Sequence, residues 1–285
     1  MVKFLLIGDL HGQMPLLHFK NVDAIIAPGD FCSDAAKKYM FEAIRMHQKD
    51  PKSKVKWYDI VGIKKAKEMA KVSLRDGRNV LEFLNKQNVP VFVVPGNWDW
   101  ARVDADRGPF AKDEFPVLIK GLKNIHNLHD TSSNFKGIGL IGYGLSSFPE
   151  FPQSAKERKL HTAKELKKAK QEYEKKLKKL DVLFSKAKGP VLFLSHNVPY
   201  NTPLDLITWK ESPRFGQHFG SVVARKVIEK HQPLVCIGAH MHEHFTSCKI
   251  GKTVCINAGF GPKVNVLLEI KNGKIKEVKF YPKEY

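Results

Sequence analysis

The chain has 285 residues, of which 42% are hydrophobic and 27% are charged, a composition typical of a soluble globular protein with a substantial core. No apolar run reaches the roughly 18 residues that a membrane-spanning helix needs, so the sequence predicts neither a membrane span nor a membrane partner. The formal net charge of +19 favours polyanionic partners such as nucleic acid, nucleotides or acidic surfaces, and it carries no information about the fold.

The chain contains four cysteines: Cys32, Cys236, Cys248 and Cys255. None forms a Cys-x-x-Cys pair, which argues against a zinc-finger site and against a redox motif. Cys248 and Cys255 flank a predicted two-residue hairpin turn that would place them opposite each other, in a hydrogen-bonded pair where a disulfide is disfavoured. Because Asp9 interrupts the N-terminal apolar run, a signal peptide is not expected either. We therefore expect reduced thiols in a cytoplasmic protein.

The first predicted strand, residues 2–7, leads into a glycine-bracketed turn that contains Asp9 and His11. Side chains at positions i and i+2 of an extended segment point to the same side, so these two can converge just beyond the carboxyl end of the strand. Open α/β sheets place their functional sites at that edge. A carboxylate beside an imidazole indicates a divalent metal site, although this stretch alone is equally compatible with an ordinary loop.

The second and third predicted strands, residues 22–27 and 89–94, also deliver polar groups at their carboxyl ends. The second strand leads into Pro28-Gly29-Asp30, and the third leads into Pro95-Gly96-Asn97-Trp98-Asp99. Because helices are predicted between the strands, the pattern indicates a βαβαβ unit with a largely parallel sheet.

The helical segments between these strands have recognisable ends. The first helix is expected to begin at about Asp34, with Ser33 or Asp34 as its N-cap. The second segment covers about residues 60–85, and the Asp76-Gly77 pair predicts an interruption within it, since glycine commonly marks a helix end.

From Ile119 onwards the pattern changes to short strands separated by glycine-rich turns. These predicted strands comprise residues 136–143, 245–249, 253–258, 263–270 and 274–281. They favour a meandering second sheet, stacked on the parallel sheet of the first half. We predict one domain over residues 1–285 with a Lys-rich helical insertion at about residues 154–188.

The insertion is the most basic part of the chain, with thirteen Lys/Arg and five Asp/Glu between residues 156 and 188. From a capping box at Thr162, its apolar residues form one narrow stripe at helical spacing. The stripe comprises Leu166, Ala169, Tyr173, Leu177, Leu180 and Phe184. A lysine-coated surface helix that packs through this stripe is one interpretation, and a helix that binds nucleic acid or a protein partner is the other.

Five predicted strand ends carry side chains that can ligate a metal. These side chains belong to Asp9, His11, Asp30, Asn97, His196, His240 and His242. Seven oxygen and nitrogen ligands without a thiolate suit one or two divalent ions among Mn²⁺, Fe²⁺, Co²⁺, Ni²⁺ and Zn²⁺, with Mn²⁺ favoured, rather than a structural zinc. Two ions about 3.5–4 Å apart would stabilise the attacking and leaving oxygens of a phosphoryl displacement, with a bound water of lowered pKa as the nucleophile.

The ordered motifs Asp-x-His, Gly-Asp, Gly-Asn-x-Asp, His and Gly…His-x-His resemble those of the calcineurin-like metallophosphoesterase superfamily, over residues 5 to about 262. The closing segment, from Gly216 to Gly259, is similar to a small prokaryotic branch related to cyclic-nucleotide phosphodiesterases. The resemblance implies a four-layer αββα sandwich with two mixed sheets. It also implies two metal sites that share Asp30. The first would comprise Asp9, His11, Asp30 and His242, and the second Asp30, Asn97, His196 and His240.

The sequence departs from the family pattern at three places. Trp98 stands where the best-known members have a histidine that assists the leaving group, and the indole cannot transfer a proton at neutral pH. Asp99, which would orient that histidine, thereby loses its obvious role. The Asp-Arg-Gly of protein phosphatases is absent after Asp30, so a phosphoprotein substrate is less expected. One extra residue also separates Gly238 from His240.

Several further residues are candidates for substrate contacts. His218 could serve as a substitute acid or phosphate contact, or simply hydrogen-bond the backbone of its loop. Trp98 and Trp100 could stack on a base, although packing is the commoner role of such residues. Arg102 and Arg214 could contact phosphate.

The predicted function is a metal-dependent phosphoesterase, acting on a phosphodiester or phosphomonoester that could be a nucleotide. A nuclease that uses the basic helix is one alternative. A non-catalytic scaffold on the same fold is the other, and the retention of every metal ligand argues against it.

Overall fold

The computed structural model describes residues 1–50, 52–101, 108–212 and 214–282, and within them it contains two mixed six-stranded sheets flanked by helices. The predicted fold class is thereby confirmed. The first sheet has the order β12-β11-β1-β2-β3-β4. Its strands are β1 (Val2–Leu6), β2 (Ala24–Ala27), β3 (Val91–Val93), β4 (Ile125–Asn127), β11 (Asn265–Lys271) and β12 (Lys274–Tyr281).

The second sheet has the order β5-β6-β7-β8-β10-β9. Its strands are β5 (Ser132–Phe135), β6 (Ile138–Tyr143), β7 (Val191–Asn197), β8 (Val235–Ala239), β9 (Ser247–Ile250) and β10 (Thr253–Asn257). Strands β1 to β4 run parallel to one another, and so do β6, β7, β8 and β10. The remaining strands are antiparallel neighbours at or near the sheet edges.

Helices cover the outer face of each sheet. They are α1 (Lys37–Lys49), α2 (Trp57–Val61), α3 (Ile63–Asn85), α4 (Phe115–Ile119), α5 (Ala155–Arg158), α6 (Ala163–Lys186) and α7 (Val222–His231), with a 3₁₀ turn at Gly108–Phe110. One core fills the space between the sheets, a second lies between the first sheet and α3 and α4, and a third lies between the second sheet and α6 and α7. Because the central strands have apolar neighbours on both faces, they read as continuous apolar runs.

Three expectations about the elements are wrong. The second half is not a simple meander, since β6, β7, β8 and β10 are parallel and β11 and β12 return to the first sheet. Helix α3 continues through Gly77, where a Cβ would lie 2.4 Å from the sulfur of Cys32. The glycine therefore allows close helix packing rather than ending the helix. Helix α1 has Ala36 as its N-cap, because the Ser33 hydroxyl donates to Asp76 on α3 instead.

Helix α6 packs through the predicted stripe, with Leu180 and Phe184 buried against the third core. Its capping box at Thr162 is present. Among the described residues, no helix is long and apolar enough to cross a membrane. The hairpin of β9 and β10 sets Cys248 opposite Cys255 as expected, and all four cysteines are free.

Candidate metal centre

The loops after β1 and β2 are held together by backbone hydrogen bonds. The N–H groups of Leu10 and His11 both donate to the carbonyl oxygen of Asp30, at 3.0 and 2.8 Å, and the N–H of Gly12 donates to Phe31. The chain thereby fixes Asp9, His11 and Asp30 at one edge of the first sheet. This is the carboxyl edge of the parallel strands, as the sequence predicted.

A first cluster of ligand-type atoms is formed by Asp9, His11 and His242. The Nε2 of His242 lies 2.9 Å from Oδ2 of Asp9 and 3.2 Å from Nε2 of His11. His242 belongs to the loop after β8 in the second sheet, whereas Asp9 and His11 follow β1 in the first. The cluster therefore joins the carboxyl edges of both sheets.

A second cluster contains Asp9, Asp30, His196 and His240, whose ligand atoms lie within 4.8 Å of one another. Oδ2 of Asp30 lies 3.6 Å from Nε2 of His196 and 3.8 Å from Nε2 of His11, a histidine of the first cluster. A carboxylate in that position can bridge two ions. Oδ1 of Asn97 lies 2.9 Å from Nε2 of His196, so all seven predicted residues meet in one place.

The orientation of His196 leaves a lone pair free for a cation. Its Nδ1 donates to the carbonyl oxygen of Pro28 at 2.8 Å, which is the outer hydrogen bond that commonly fixes a metal-binding imidazole. In the neutral ring Nε2 is then an acceptor, and the carbonyl oxygen of Asn97 faces it at 2.9 Å. Two lone-pair atoms converge at this point, an arrangement that a cation stabilises.

Buried polar atoms without hydrogen-bond partners also indicate that a cation binds here. Among the described residues, such atoms include Oδ1 of Asp9, Oδ2 of Asp30 and Nδ1 of His11. Both carboxylates are almost fully buried, and an unpaired buried charge is costly. The donor set of carboxylates, imidazoles and one amide fits a borderline-hard divalent ion, so these residues suit the metals that the motifs imply.

The protonation of the cluster also favours metal binding. Burial lowers the pKa of His11 to about 4 and that of His240 to about 3, so both imidazoles are neutral at physiological pH. Burial opposes ionisation of Asp9, but its hydrogen bond to His242 and the nearby imidazoles outweigh it and lower its pKa to about 2. Burial and the charge of Asp9 raise the pKa of Asp30 well above its usual value. The crowding of these carboxylates is relieved when a cation lies between them.

The backbone at the centre is held in an uncommon conformation. His11, Asp30 and His240 have φ values of 44°, 57° and 67°, in the left-handed region. Such residues cost free energy and cluster at functional sites. The left-handed turn at His240 directly follows β8, and it lets the His240 N–H donate to Oδ2 of Asp9 at 3.0 Å.

Asp99 has a structural role that sequence reasoning missed. Its two carboxylate oxygens accept four backbone N–H groups, at 2.7–2.9 Å. The donors are Asp30, Phe31, Cys32 and Gly96. Trp98 leaves Asp99 no histidine to orient, and Asp99 has a different role: it joins the loops after β2 and β3 and fixes the backbone of Asp30. Acceptance of backbone N–H groups leaves no sequence signal beyond the carboxylate itself.

The tryptophans after β3 occupy different places. The N–H of Trp98 donates to Oδ1 of Asp30 at 2.8 Å, and its half-buried ring lies edge-on to His11 with ring centroids 6.4 Å apart. Trp100 turns away and packs with Trp57 and Phe110, and its indole donates to Ser73 on α3. Trp98 therefore lies beside the metal centre, and Trp100 has the packing role.

The other candidate contacts lie farther along the chain. Nδ1 of His218 lies 2.8 Å from Oδ1 of the buried Asp205, so the ring is oriented by a carboxylate and is partly exposed. The guanidinium of Arg214 lies over the ring of Phe219. Arg102 lies outside the described residues.

A cavity of about 200 Å³ opens beside the first cluster. It is lined by His11, Gln13, Asp34, Lys37, His242 and Phe260. Only Lys37 among these carries a fixed positive charge, and its amine lies 3.3 Å from Asp34. The cavity gives a ligand direct access to the imidazoles of His11 and His242.

Paired six-stranded sheets with a cluster of carboxylates and imidazoles at their shared carboxyl edge define the class of metallohydrolase-like α/β sandwiches. The family model described as calcineurin-like phosphoesterase matches residues 2–244, and the chain belongs to this family. No curated protein matches the chain in sequence.

Solved structures with the same fold share little sequence with this chain. One has a TM-score of 0.60 and 16% identity and covers 97% of this chain and 98% of its own length. The protein TT1561 of Thermus thermophilus has a TM-score of 0.53 and 16% identity, with 98% of each chain covered. A dimetal phosphatase from Danio rerio has a TM-score of 0.50 and 12% identity, with coverage of 95% and 93%.

Proposed function

We propose that the protein is a dinuclear metal-dependent phosphoesterase that hydrolyses a phosphodiester or an activated phosphomonoester. The observation that carries this proposal is the pair of overlapping clusters around Asp9 and Asp30, with buried carboxylate oxygens that have no other partner. Family membership and the similarity of fold to a dimetal phosphatase support the same chemistry.

The residues of the chain would hold and orient the reacting groups. Asp9, His11, Asp30 and His242 would hold one ion, and Asp30, Asn97, His196 and His240 the other. The two ions would supply Lewis acidity, activating a water and stabilising charge on the phosphoryl oxygens. The hydrogen bonds of His196 to Pro28 and of Asp99 to the backbone hold the ligands in place before the substrate arrives.

Trp98 cannot donate the proton that a poorly leaving oxygen needs. We propose that His218 donates it, because its pairing with the buried Asp205 orients the ring and leaves Nε2 free. The alternative is a leaving group that departs without protonation, which would restrict the enzyme to activated esters. We further propose that Trp98 contacts the substrate, supported by its half-buried position beside His11.

Manganese remains the favoured ion, and the free thiols support a reducing compartment such as the cytoplasm. Metal analysis of protein purified without added ions would identify the native metal.

The test is replacement of Asp30 or His196 by Ala, with hydrolysis of bis-p-nitrophenyl phosphate measured in the presence of Mn²⁺. We expect both variants to lose activity by at least about 100-fold, because each change removes a ligand. His126→Ala is the matched control, since His126 is an exposed histidine on β4. Full activity in either ligand variant would contradict the proposal. Metal binding without turnover of any ester by the unaltered protein would favour the scaffold instead.

A further inference from the structure

Two connections leave the carboxyl edge of the second sheet and flank the metal centre. We call them together the rim: residues 144–170, from the end of β6 to the second turn of α6, and residues 198–212 and 214–217, which follow β7. Strand β7 itself ends at Asn197, one residue after His196. The rim therefore begins where the ligands are.

The part of the rim after β7 is attached to the loop that carries His242. The carboxylate of Glu243 accepts from the backbone N–H of Trp209 at 2.8 Å and also binds Thr208. Nε2 of His244 donates to the carbonyl oxygen of Leu206 at 2.6 Å. Because Glu243 and His244 directly follow His242, this part of the rim lies against the metal centre.

The part of the rim after β6 is joined to the same region through Glu150. Its carboxylate accepts from the hydroxyl of Ser221 at 2.6 Å and from the backbone N–H groups of Val222 and Val223, at the first turn of α7. The carbonyl oxygen of Ser221 in turn accepts from the N–H of Tyr200 at 3.0 Å, so Ser221 connects the two parts of the rim.

The first two turns of α6 belong to the rim, whereas its last turns pack on the outer face of the second sheet. Near its end, Phe184 contacts Phe193 in the middle of β7, with ring centroids 5.6 Å apart. Near the middle of α6, Tyr173 stacks on Phe151, with ring centroids 6.0 Å apart. Phe151 follows β6 at the carboxyl edge of the sheet. The ten residues 163–172 precede this contact, and they add about 15 Å of helix before it.

The rim is basic. Within its ranges the sequence has nine Lys/Arg and five Asp/Glu. Four of the five carboxylates accept hydrogen bonds from backbone N–H groups: Glu150, Glu157, Glu165 and Asp205. The lysines of the first turns of α6, by contrast, are exposed: Lys164, Lys167, Lys168 and Lys170.

The rim also exposes large aromatic side chains. Phe148, Trp209 and Phe215 are 57%, 50% and 52% exposed. Only one other aromatic residue, Tyr281, stands among the exposed large hydrophobic residues of the described chain. Exposed aromatics concentrated in one basic surface are the pattern of proteins that stack unpaired bases while cations follow the phosphates.

We propose that the rim binds single-stranded nucleic acid and delivers its phosphodiester bonds to the metal centre. Trp209 serves as a stacking platform, and the lysines at the start of α6 contact the backbone phosphates. The delivery step rests on the proposed function, whereas binding does not. A second copy of the chain or a protein partner would also cover aromatics, but neither accounts for the cations around them.

The test is fluorescence anisotropy of a labelled oligo(dT) about 15 nucleotides long, measured over a series of salt concentrations. The full-length protein is used in the presence of a chelator, so that no turnover consumes the probe. The variants are Trp209→Ala and the triple variant Lys164→Gln/Lys167→Gln/Lys168→Gln. The control is Lys64→Gln/Lys67→Gln/Lys71→Gln, which removes the same charge from exposed positions of α3 on the opposite outer face.

We expect the unaltered protein to bind with a clear salt dependence. Trp209→Ala should weaken binding by about tenfold at fixed salt, and the α6 triple variant should reduce the salt slope by roughly 0.7 for each lost phosphate contact. The α3 control should bind as the unaltered protein does. Absence of saturable binding, equal weakening by the control, or an unchanged affinity of Trp209→Ala would each overturn the proposal.

The binding test and the hydrolysis test of the proposed function can fail independently of each other. Absence of oligonucleotide binding, with hydrolysis of bis-p-nitrophenyl phosphate intact, would remove only the nucleic-acid inference. Absence of hydrolysis with binding intact would remove the phosphoesterase proposal and the delivery step, and would leave the binding of single-stranded nucleic acid standing. Thermal melting of each variant shows whether it is folded.

Discussion

At the scale of single residues, Asp99 shows how a buried carboxylate that belongs to neither ligand cluster can organise the site. Four backbone N–H groups from two loops converge on it, including that of Asp30. Each of these groups would otherwise be a buried donor without a partner, which costs about 1–3 kcal/mol. The position of Asp30 therefore depends on Asp99.

Replacement of Asp99 by Asn should destabilise the fold and weaken metal binding together. The amide retains one acceptor oxygen and directs a donor at N–H groups, so we expect a loss of about 1–3 kcal/mol in the free energy of unfolding. Mn²⁺ affinity should fall about 10- to 100-fold. Denaturant titration and calorimetric Mn²⁺ titration measure the two effects.

Asp130→Asn is the control for this variant, because Asp130 is a surface carboxylate paired with Lys179 and its left-handed backbone suits asparagine equally well. It should leave both quantities within experimental error. Unchanged Mn²⁺ affinity in Asp99→Asn would show that the loop keeps its geometry without the carboxylate.

The convergence of the candidate ligand side chains could be predicted from the sequence, whereas the contacts that support them could not. Asp9 and His11 stand at a strand end with a spacing that aims both to one side, and such a pattern is visible in the sequence alone. Asp99 and Glu150 act on backbone groups that are distant in sequence, and any carboxylate would look the same. Gly77 was misread for a similar reason: its partner, Cys32, lies far away along the chain.

At the scale of elements, the loops after parallel strands position the site by close backbone approach. Gly96 begins the turn after β3, and a Cβ there would lie 2.1 Å from Oδ1 of Asp30. The glycine is therefore required by the space that the carboxylate occupies. Its role differs from that of a glycine in an open turn.

Replacement of Gly96 by Ala should displace Asp30 and remove the bridging position. We expect Mn²⁺-dependent hydrolysis to fall by at least about tenfold, with weaker Mn²⁺ binding, since the ligand geometry is lost. Gly139→Ala in β6 is the matched control, because the tightest contact of its Cβ would be a side-chain methyl of Val191, at 3.3 Å. Wild-type kinetics in Gly96→Ala would mean that the carboxylate can move without consequence.

At the scale of the whole molecule, the candidate metal centre joins the two sheets. Asp9, His11, Asp30 and Asn97 follow strands of the first sheet, whereas His196, His240 and His242 come from the second. The sequence predicted two sheets but not how the strands divide between them, because the pairing of β11 with β1 depends on contacts between the two ends of the chain. The periodicity of apolar residues shows which faces of a strand are buried, but it does not show which strands pair with it.

Binding of Mn²⁺ should accordingly stabilise the entire fold. An ion that binds only the native state adds about 2.7 kcal/mol at a free concentration about 100 times its dissociation constant. We expect the apparent Tm to rise with Mn²⁺ concentration in the unaltered protein. The Asp30→Ala variant should show no such rise. A Tm independent of Mn²⁺ in the unaltered protein would mean that the two clusters do not bind the ion.

The antiparallel pairing of β1 with β11 also has a consequence for how the protein is made. Strand β1 leaves the ribosome long before its partner strand, which runs from Asn265 to Lys271. During translation one edge of β1 thus remains unpaired, a state prone to misassociation. His240 and His242 likewise emerge after Asp9, His11 and Asp30. Loading of the complete candidate metal centre therefore has to follow the synthesis of His242.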